Sequence, residues 1–198
     1  MSRMASGPPP LGARERILKT AASLFYQYGF RAVGIDTIIA ESGVAKMSFY
    51  RHFPSKDDLI VAYLNQSNAQ FWSWFDEVRA MSDDPRTKLE LLFDAVAGLA
   101  ADAKCLGCTF TSAASEFPDL NHPSHVAALQ HKRQVMELFE QLATEAHARD
   151  PRGLAESLML VMDGAWNAAR MFGGGSHASR AAEAACVLIS AQIDAAVK

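Results

Sequence analysis

The chain has 198 residues, of which 49% are apolar, enough for a small domain joined to a larger one with a substantial core. No apolar run reaches the roughly 18 residues of a membrane span, and residues 1–12, rich in Pro, Gly and Ser, lack the apolar stretch of a secretory signal. We therefore expect a cytoplasmic protein without membrane contact, in which residues 1–12 form a disordered arm. Three cysteines are too few to indicate a disulfide framework.

Charge is unevenly distributed along the chain. Residues 1–64 contain eight Lys or Arg and five Asp or Glu, a net charge of +3, whereas residues 65–198 contain eleven and seventeen, a net charge of −6. A basic N-terminal third fits a DNA contact at that end, although a charge of +3 is also ordinary for a solvated surface.

Helical periodicity runs through the whole sequence, and strand signals are nearly absent. The breakers and caps predict nine helices, at about residues 13–28, 35–42, 46–52, 56–81, 85–104, 109–116, 123–149, 151–172 and 178–197. We therefore expect an all-α fold with one domain over residues 13–55 and a second over residues 56–198.

The second and third predicted helices are joined by a tight turn at Gly43, which is the pattern of a helix-turn-helix motif. Apolar residues of this segment, such as Ile38 and Phe49, would pack on Leu24 and Phe25 of the first helix. The third helix carries hydrogen-bond donors on its outer face: Lys46, Ser48, Tyr50, Arg51 and His52. These side chains suit phosphates and base edges in a major groove, and Lys56 could hold a further phosphate. The alternative is a polar face that only contacts solvent.

The run FYRHFPSKDDL, at residues 49–59, resembles the DNA-binding domain of the TetR family of transcriptional regulators. Further matching residues are Ala21, Leu24, Phe25, Gly29, Phe30, Gly43, Val44 and Ser48. The resemblance implies a nine-helix architecture, with three N-terminal helices that bind DNA and a C-terminal domain for a ligand and for dimerisation. It implies a homodimer that represses transcription at a pseudo-palindromic double-stranded operator and is released by a small-molecule effector, without a cofactor.

The resemblance also implies roles for single residues. The expected phosphate contacts are Tyr50, His52 and Lys56. The expected contacts to bases, or to bases and phosphates together, are Lys46, Ser48 and Arg51. Thr37, on the second helix, would touch a phosphate. Met47 departs from the family pattern, because many members have Gly there, and could instead contact a thymine methyl group. Val33 and Gly34 replace the usual hydroxyl residues, so a phosphate contact there is in doubt.

The resemblance places the dimer interface on the last two long helices, where apolar stripes occur. The residues expected there are Leu158, Met162, Ala165, Ala182, Cys186, Ile189 and Ile193; intramolecular core is the alternative. The expected ligand pocket lies among the middle helices and is lined by Trp72, Phe75, Phe93, Cys108, Phe110, Phe117, Phe139, Trp166, Asn167 and Arg170. An inward-facing Arg170 would favour an anionic or carbonyl-bearing ligand.

Cys105 and Cys108 form a C-x-x-C pair that lacks the further ligands of a zinc site and the βαβ context of a thioredoxin-like site. A metal site with His122, His125 and His131 is conceivable. A second hypothesis is a repressor that senses oxidants or electrophiles through the two cysteines. An enzyme, for instance a small helical oxidoreductase, is disfavoured because no catalytic constellation appears. A helical interaction module without DNA is the remaining class.

Overall fold

A computed structural model describes residues 11–175 and 177–193. Within these residues the fold is all-α, and the nine α-helices expected from the sequence are present. They are α1 (Ala13–Tyr28), α2 (Ile35–Ser42), α3 (Lys46–His52), α4 (Lys56–Arg79), α5 (Pro85–Ala101), α6 (Thr109–Glu116), α7 (Pro123–Glu145), α8 (Pro151–Phe172) and α9 (Ala181–Ile193), with a 3₁₀ turn at His177–Arg180 before α9. The predicted disordered arm lies outside the described residues, except for Leu11 and Gly12, and so does the predicted end of the last helix.

The chain divides into two compact units, one up to Tyr63 and the other from Leu64 onward. Both units contain part of α4, because the division falls within this helix and not near residue 55. The predicted boundary marks where α4 begins, since Pro54 interrupts the helical pattern there. Among the described residues, no helix is both long and apolar enough to cross a membrane.

An aromatic cluster at the C-terminal end of α1 stabilises the first unit. The rings of Phe25, Phe30 and Tyr63 lie 5.3 to 6.0 Å apart, and all three are buried. Gly29 ends α1 with φ 84°, a backbone conformation that favours glycine. The cluster therefore fixes α1 to the start of α4 within this unit.

The longer helices begin at well-defined caps. At α4, Ser55 N–H donates to the Asp58 carboxylate at 3.0 Å, and Asp58 N–H donates to Ser55 Oγ at 3.1 Å, which is a reciprocal capping arrangement. At α5, the side chain of Asp84 accepts from Thr87 N–H at 2.8 Å ahead of Pro85. Hydrogen bonds from the Thr87 hydroxyl and N–H lower the pKa of Asp84.

The second unit has one continuous apolar core. Its largest fully buried side chains include Phe75, Phe93 and Phe139, whose rings follow one another at centroid distances of 6.2 and 5.5 Å. Helices α5, α7, α8 and α9 pack around these rings.

Two helix ends differ from the prediction. Helix α7 stops at Glu145, before the predicted Arg149, because His147 adopts φ 57°. His147 N–H then donates to Thr144 O, and Ala148 N–H donates to Ala143 O, both at 3.0 Å, which is a Schellman ending. Helix α5 stops at Ala101, short of the predicted Lys104.

Candidate DNA-binding face and ligand cavity

The helix-turn-helix is built by α2, α3 and the turn between them. Gly43 has φ 64° and ψ 32°, the left-handed conformation that a tight turn needs. Beyond the turn, Phe49 is fully buried and Phe53 is 2% exposed, so two rings anchor one side of α3. The remaining side of this short helix is thereby turned toward solvent.

Each predicted DNA-contacting residue, on α3 or on the adjoining helices α2 and α4, is at least partly accessible to solvent. Thr37, Lys46, Met47, Tyr50 and Arg51 are exposed, and Ser48, His52 and Lys56 are half-buried. Met47 is 81% exposed, the highest value among the large apolar side chains described. The Tyr50 ring packs edge-on against the buried Phe49 ring, with centroids 5.4 Å apart. This contact orients the Tyr50 side chain. We call these eight residues, on α3 and on the adjoining helices α2 and α4, the α3 face.

Two cations of the α3 face have partners within the protein. Lys46 Nζ lies 3.6 Å from Asp36 Oδ1, with both side chains largely exposed. Lys56 Nζ donates to the carbonyl oxygen of Arg31 at 3.4 Å. An exposed ion pair contributes little to stability, so Lys46 can exchange its partner for a phosphate at small cost.

The second unit contains a cavity of about 160 Å³, bounded by α4, α6, α7 and α8. Three of the predicted pocket residues line it: Cys108, Phe110 and Trp166. Sequence reasoning missed the others, of which Phe71 and Met162 are apolar and Ser67, Thr109, His131 and Lys132 are polar. We call this space the α6 cavity.

His131 is the most unusual residue of the α6 cavity, because it is polar and only 3% exposed. Its ring stacks on Phe110 with centroids 3.6 Å apart and meets Phe71 edge-on at 4.8 Å. Burial lowers the pKa of His131 to about 3, and the neighbouring Lys132 charge acts in the same direction. The ring is therefore neutral near pH 7.

The other predicted pocket residues lie elsewhere. Phe75, Phe93 and Phe139 are core residues, Trp72 packs against that core, and Phe117 stacks on His122 at 4.3 Å. Asn167 and Arg170 line a separate small cavity with Cys108 and Trp166. Arg170 is exposed and its guanidinium donates to Leu106 O at 2.8 Å, so it secures a loop and does not line the α6 cavity.

Comparison with known proteins decides the family. The model of bacterial regulatory proteins of the tetR family matches residues 17–63, and the model of the tetracyclin repressor-like C-terminal domain matches residues 85–185. The chain belongs to the TetR family. It is therefore a DNA-binding transcriptional regulator and not an enzyme. The hypothesis of a small helical oxidoreductase is excluded.

Individual TetR relatives are similar over most of the chain. The crystal structure of SCO4454, a TetR-family transcriptional regulator from Streptomyces coelicolor, has a TM-score of 0.84 and 29% identity, covering 94% of this chain and 96% of that one. The protein sav143 from Streptomyces avermitilis has a TM-score of 0.76 and 30% identity, covering 94% and 99%. The regulator YjdC from Escherichia coli is 25% identical over 154 residues, covering 76% of this chain and 80% of its own.

Four of the seven predicted dimer residues of this TetR protein require a correction. Leu158, Met162, Ala165 and Ile189 are at most 4% exposed because they pack into the core of their own unit. They have almost no surface left for a partner chain. Ala182 and Ile193 are half-buried, and Cys186 is exposed.

The cysteines and histidines are dispersed in the described part of this TetR chain. Cys105, Cys108 and Cys186 are free thiols, and no group of three His, Cys, Asp or Glu there could hold a metal ion. His122 Nδ1 accepts from Ser124 N–H at 3.2 Å, and His125 Nδ1 lies 2.8 Å from Phe117 O. The three candidate metal ligands thus have separate structural contacts, and redox sensing stays a prediction.

Proposed function

We propose that this protein is a homodimeric repressor that holds a pseudo-palindromic operator with two copies of the α3 face. Occupation of the α6 cavity by a small molecule would release the DNA. The observation that carries the DNA-binding part is the solvent-facing set of donors on a helix anchored by Phe49 and Phe53. As a DNA-binding regulator it would act in the cytoplasm, where a bacterial chromosome lies.

The residue types of the α3 face match the parts of DNA that a recognition helix meets. Arg51 and Lys46 can donate to guanine edges, and Tyr50 and His52 can donate to phosphates. Met47, without a donor, offers an apolar surface to a thymine methyl group. The operator would therefore contain thymine opposite Met47.

Because four of the seven predicted dimer residues are core residues, a dimer would use the outer side of the same two helices. The outer side of α8 carries Leu160, Gly164, Asn167 and Met171, which repeat at the spacing of one helical stripe. Leu160 is 75% and Met171 is 66% exposed, and Val187 on α9 is 65% exposed. Exposed apolar side chains on two helices that pack against each other are typical of protein–protein contacts. We place the dimer interface there.

Helix α4 offers a route from ligand to DNA, since it belongs to both units. Its first residue follows shortly after α3, and its residues Ser67 and Phe71 line the α6 cavity. A ligand shifts the equilibrium between two states only by its different affinity for them. We propose that the occupied cavity favours an orientation of α4 that does not fit the operator.

The direct test is a mobility shift with DNA flanking the gene of this protein. We expect retention that survives nonspecific competitor DNA and weakens with salt. A reporter driven by the same DNA should rise when the gene is deleted. Failure to retain any flanking fragment would contradict the operator proposal, and a reporter that falls on deletion would contradict the repressor sense.

A further inference from the structure

Three side chains beside the α6 cavity form a hydrogen-bonded series that fixes where the protons are. Asn68 Oδ1 accepts from Trp72 Nε1–H at 3.1 Å, and His131 Nδ1 lies 2.7 Å from the same oxygen. An indole nitrogen can only donate, so the atom facing it must be the amide oxygen. The oxygen cannot donate to His131, and Nδ1 must therefore carry the proton.

This assignment leaves the other ring nitrogen of His131 as an acceptor. A neutral imidazole has one proton, so Nε2 holds a lone pair. Within the described part of the chain, Nε2 has no hydrogen-bond partner. The stacking on Phe110 and the edge contact with Phe71 hold the ring in place, and the ring lines the cavity.

Size and charge restrict what could meet this acceptor. A cavity of about 160 Å³ is close to the size that holds one benzene ring. Lys132 is the charged residue among those lining it, and its ammonium is paired with the Asp163 carboxylate. No unpaired charge among the described lining residues is available to neutralise an ionic ligand.

We propose that the α6 cavity binds an uncharged ligand with one aromatic ring that donates a hydrogen bond from a hydroxyl or N–H to His131 Nε2. The inference rests on the effector role proposed for this cavity and names its ligand class. Ethers, carbonyl compounds and hydrocarbons of the same size lack a donor, so they would displace solvent from Nε2 without replacing its hydrogen bond, which costs affinity. This replaces the anionic or carbonyl-bearing ligand expected from Arg170.

The test is calorimetric titration of the full chain, without DNA, with phenol, toluene and benzoate. Phenol and toluene have nearly the same shape and differ by the donor. We expect phenol to bind about tenfold more tightly than toluene, and benzoate to bind more weakly than phenol. Equal affinities for phenol and toluene, tighter binding of benzoate, or no binding of phenol at millimolar concentration would overturn the proposal.

A matched variant tests the role of His131 itself. His131→Phe keeps a ring against Phe110 but removes the acceptor, so the preference for phenol should disappear; an unchanged preference would overturn the proposal. His177→Gln, which replaces an exposed histidine that does not line the cavity, should retain the preference. Nitrogen-15 NMR of the wild-type ring needs no variant: Nε2 should be unprotonated and should shift on addition of phenol, and a protonated Nε2 would contradict the assignment.

The outcome is separable from that of the proposed function. Phenol selectivity without any effect on operator retention would support the ligand class and contradict the release mechanism. Operator retention that is sensitive to other small molecules, with no phenol selectivity, would support the regulator and contradict the ligand class.

Discussion

Lys46, which we propose as a DNA contact, is paired with a carboxylate of the same chain. Its ammonium lies beside the Asp36 carboxylate, and the same carboxylate would repel the phosphates of a bound operator. We predict that Asp36→Asn tightens operator binding several-fold, with a larger effect at low salt, because it releases Lys46 and removes the repulsion. Fluorescence anisotropy at two salt concentrations measures this. Asp94→Asn, an exposed carboxylate of α5, should change nothing, and weaker binding of Asp36→Asn would contradict the assignment.

His131 should make stability sensitive to acid. Its pKa is about 3 when folded and about 6.5 when unfolded. Between these values the unfolded chain binds one more proton, so stability falls with decreasing pH by at most about 1.4 kcal/mol per unit. Urea unfolding from pH 7 to pH 4 should show this loss in wild type and less of it in His131→Phe. Replacing the exposed His177 with Gln should leave the loss of stability unchanged. If His131→Phe lost as much stability as wild type between pH 7 and pH 4, His131 would not be its source.

These two residues also show which site residues sequence can reveal. The residues of the α3 face are close together in the chain, so a short run carries both their identity and their arrangement. His131 meets Asn68 across 63 positions, and its role depends on the orientation of one amide. No periodicity indicates such a contact, so the sequence indicates for His131 only a conceivable metal site.

At the level of the elements, the end of α7 contains a strained residue. His147 holds φ 57°, which costs a side-chain-bearing residue free energy that glycine does not lose. We predict that His147→Gly raises the free energy of unfolding by about 0.5–1 kcal/mol. The melting temperature should rise by about 1–4 °C.

Thermal unfolding followed by circular dichroism measures the change at His147. The adjacent Ala146, with φ −81°, is a matched control, because glycine there adds only freedom to the unfolded chain and should lower stability. A lower melting temperature for His147→Gly would contradict the prediction. It would show that the contacts of the His147 side chain stabilise the fold by more than its backbone conformation destabilises it.

Helix starts were easier to predict than helix ends or helix faces. Three helices have a proline in their first turn, namely Pro85, Pro123 and Pro151. Proline is favoured there because it has no backbone N–H and its φ already suits a helix. The end of α7 has no such residue. Helix α8 has apolar residues on both sides, so spacing alone could not separate the core stripe with Leu158 from the exposed stripe with Leu160.

At the level of the whole molecule, the proposed dimer depends on that exposed stripe. We predict that Leu160→Asp converts the dimer to a monomer and weakens operator binding at least tenfold, because each monomer would hold only one half-site. Analytical ultracentrifugation measures the mass and anisotropy measures the binding. Leu120→Asp is the matched control, since Leu120 is 68% exposed outside α8 and α9. Equal dimerisation of both variants would contradict this location.

The central claim is that the α3 face binds the operator, and binding isotherms across salt concentrations test it most directly. The variant Lys46→Ala/Arg51→Ala is compared with Lys104→Ala/Arg133→Ala, which removes two exposed cations from the second unit. The account predicts that the first variant binds roughly 100-fold more weakly, with a shallower salt dependence, and that the second binds like wild type. Equal losses in both variants, or no loss in the first, would contradict the claim.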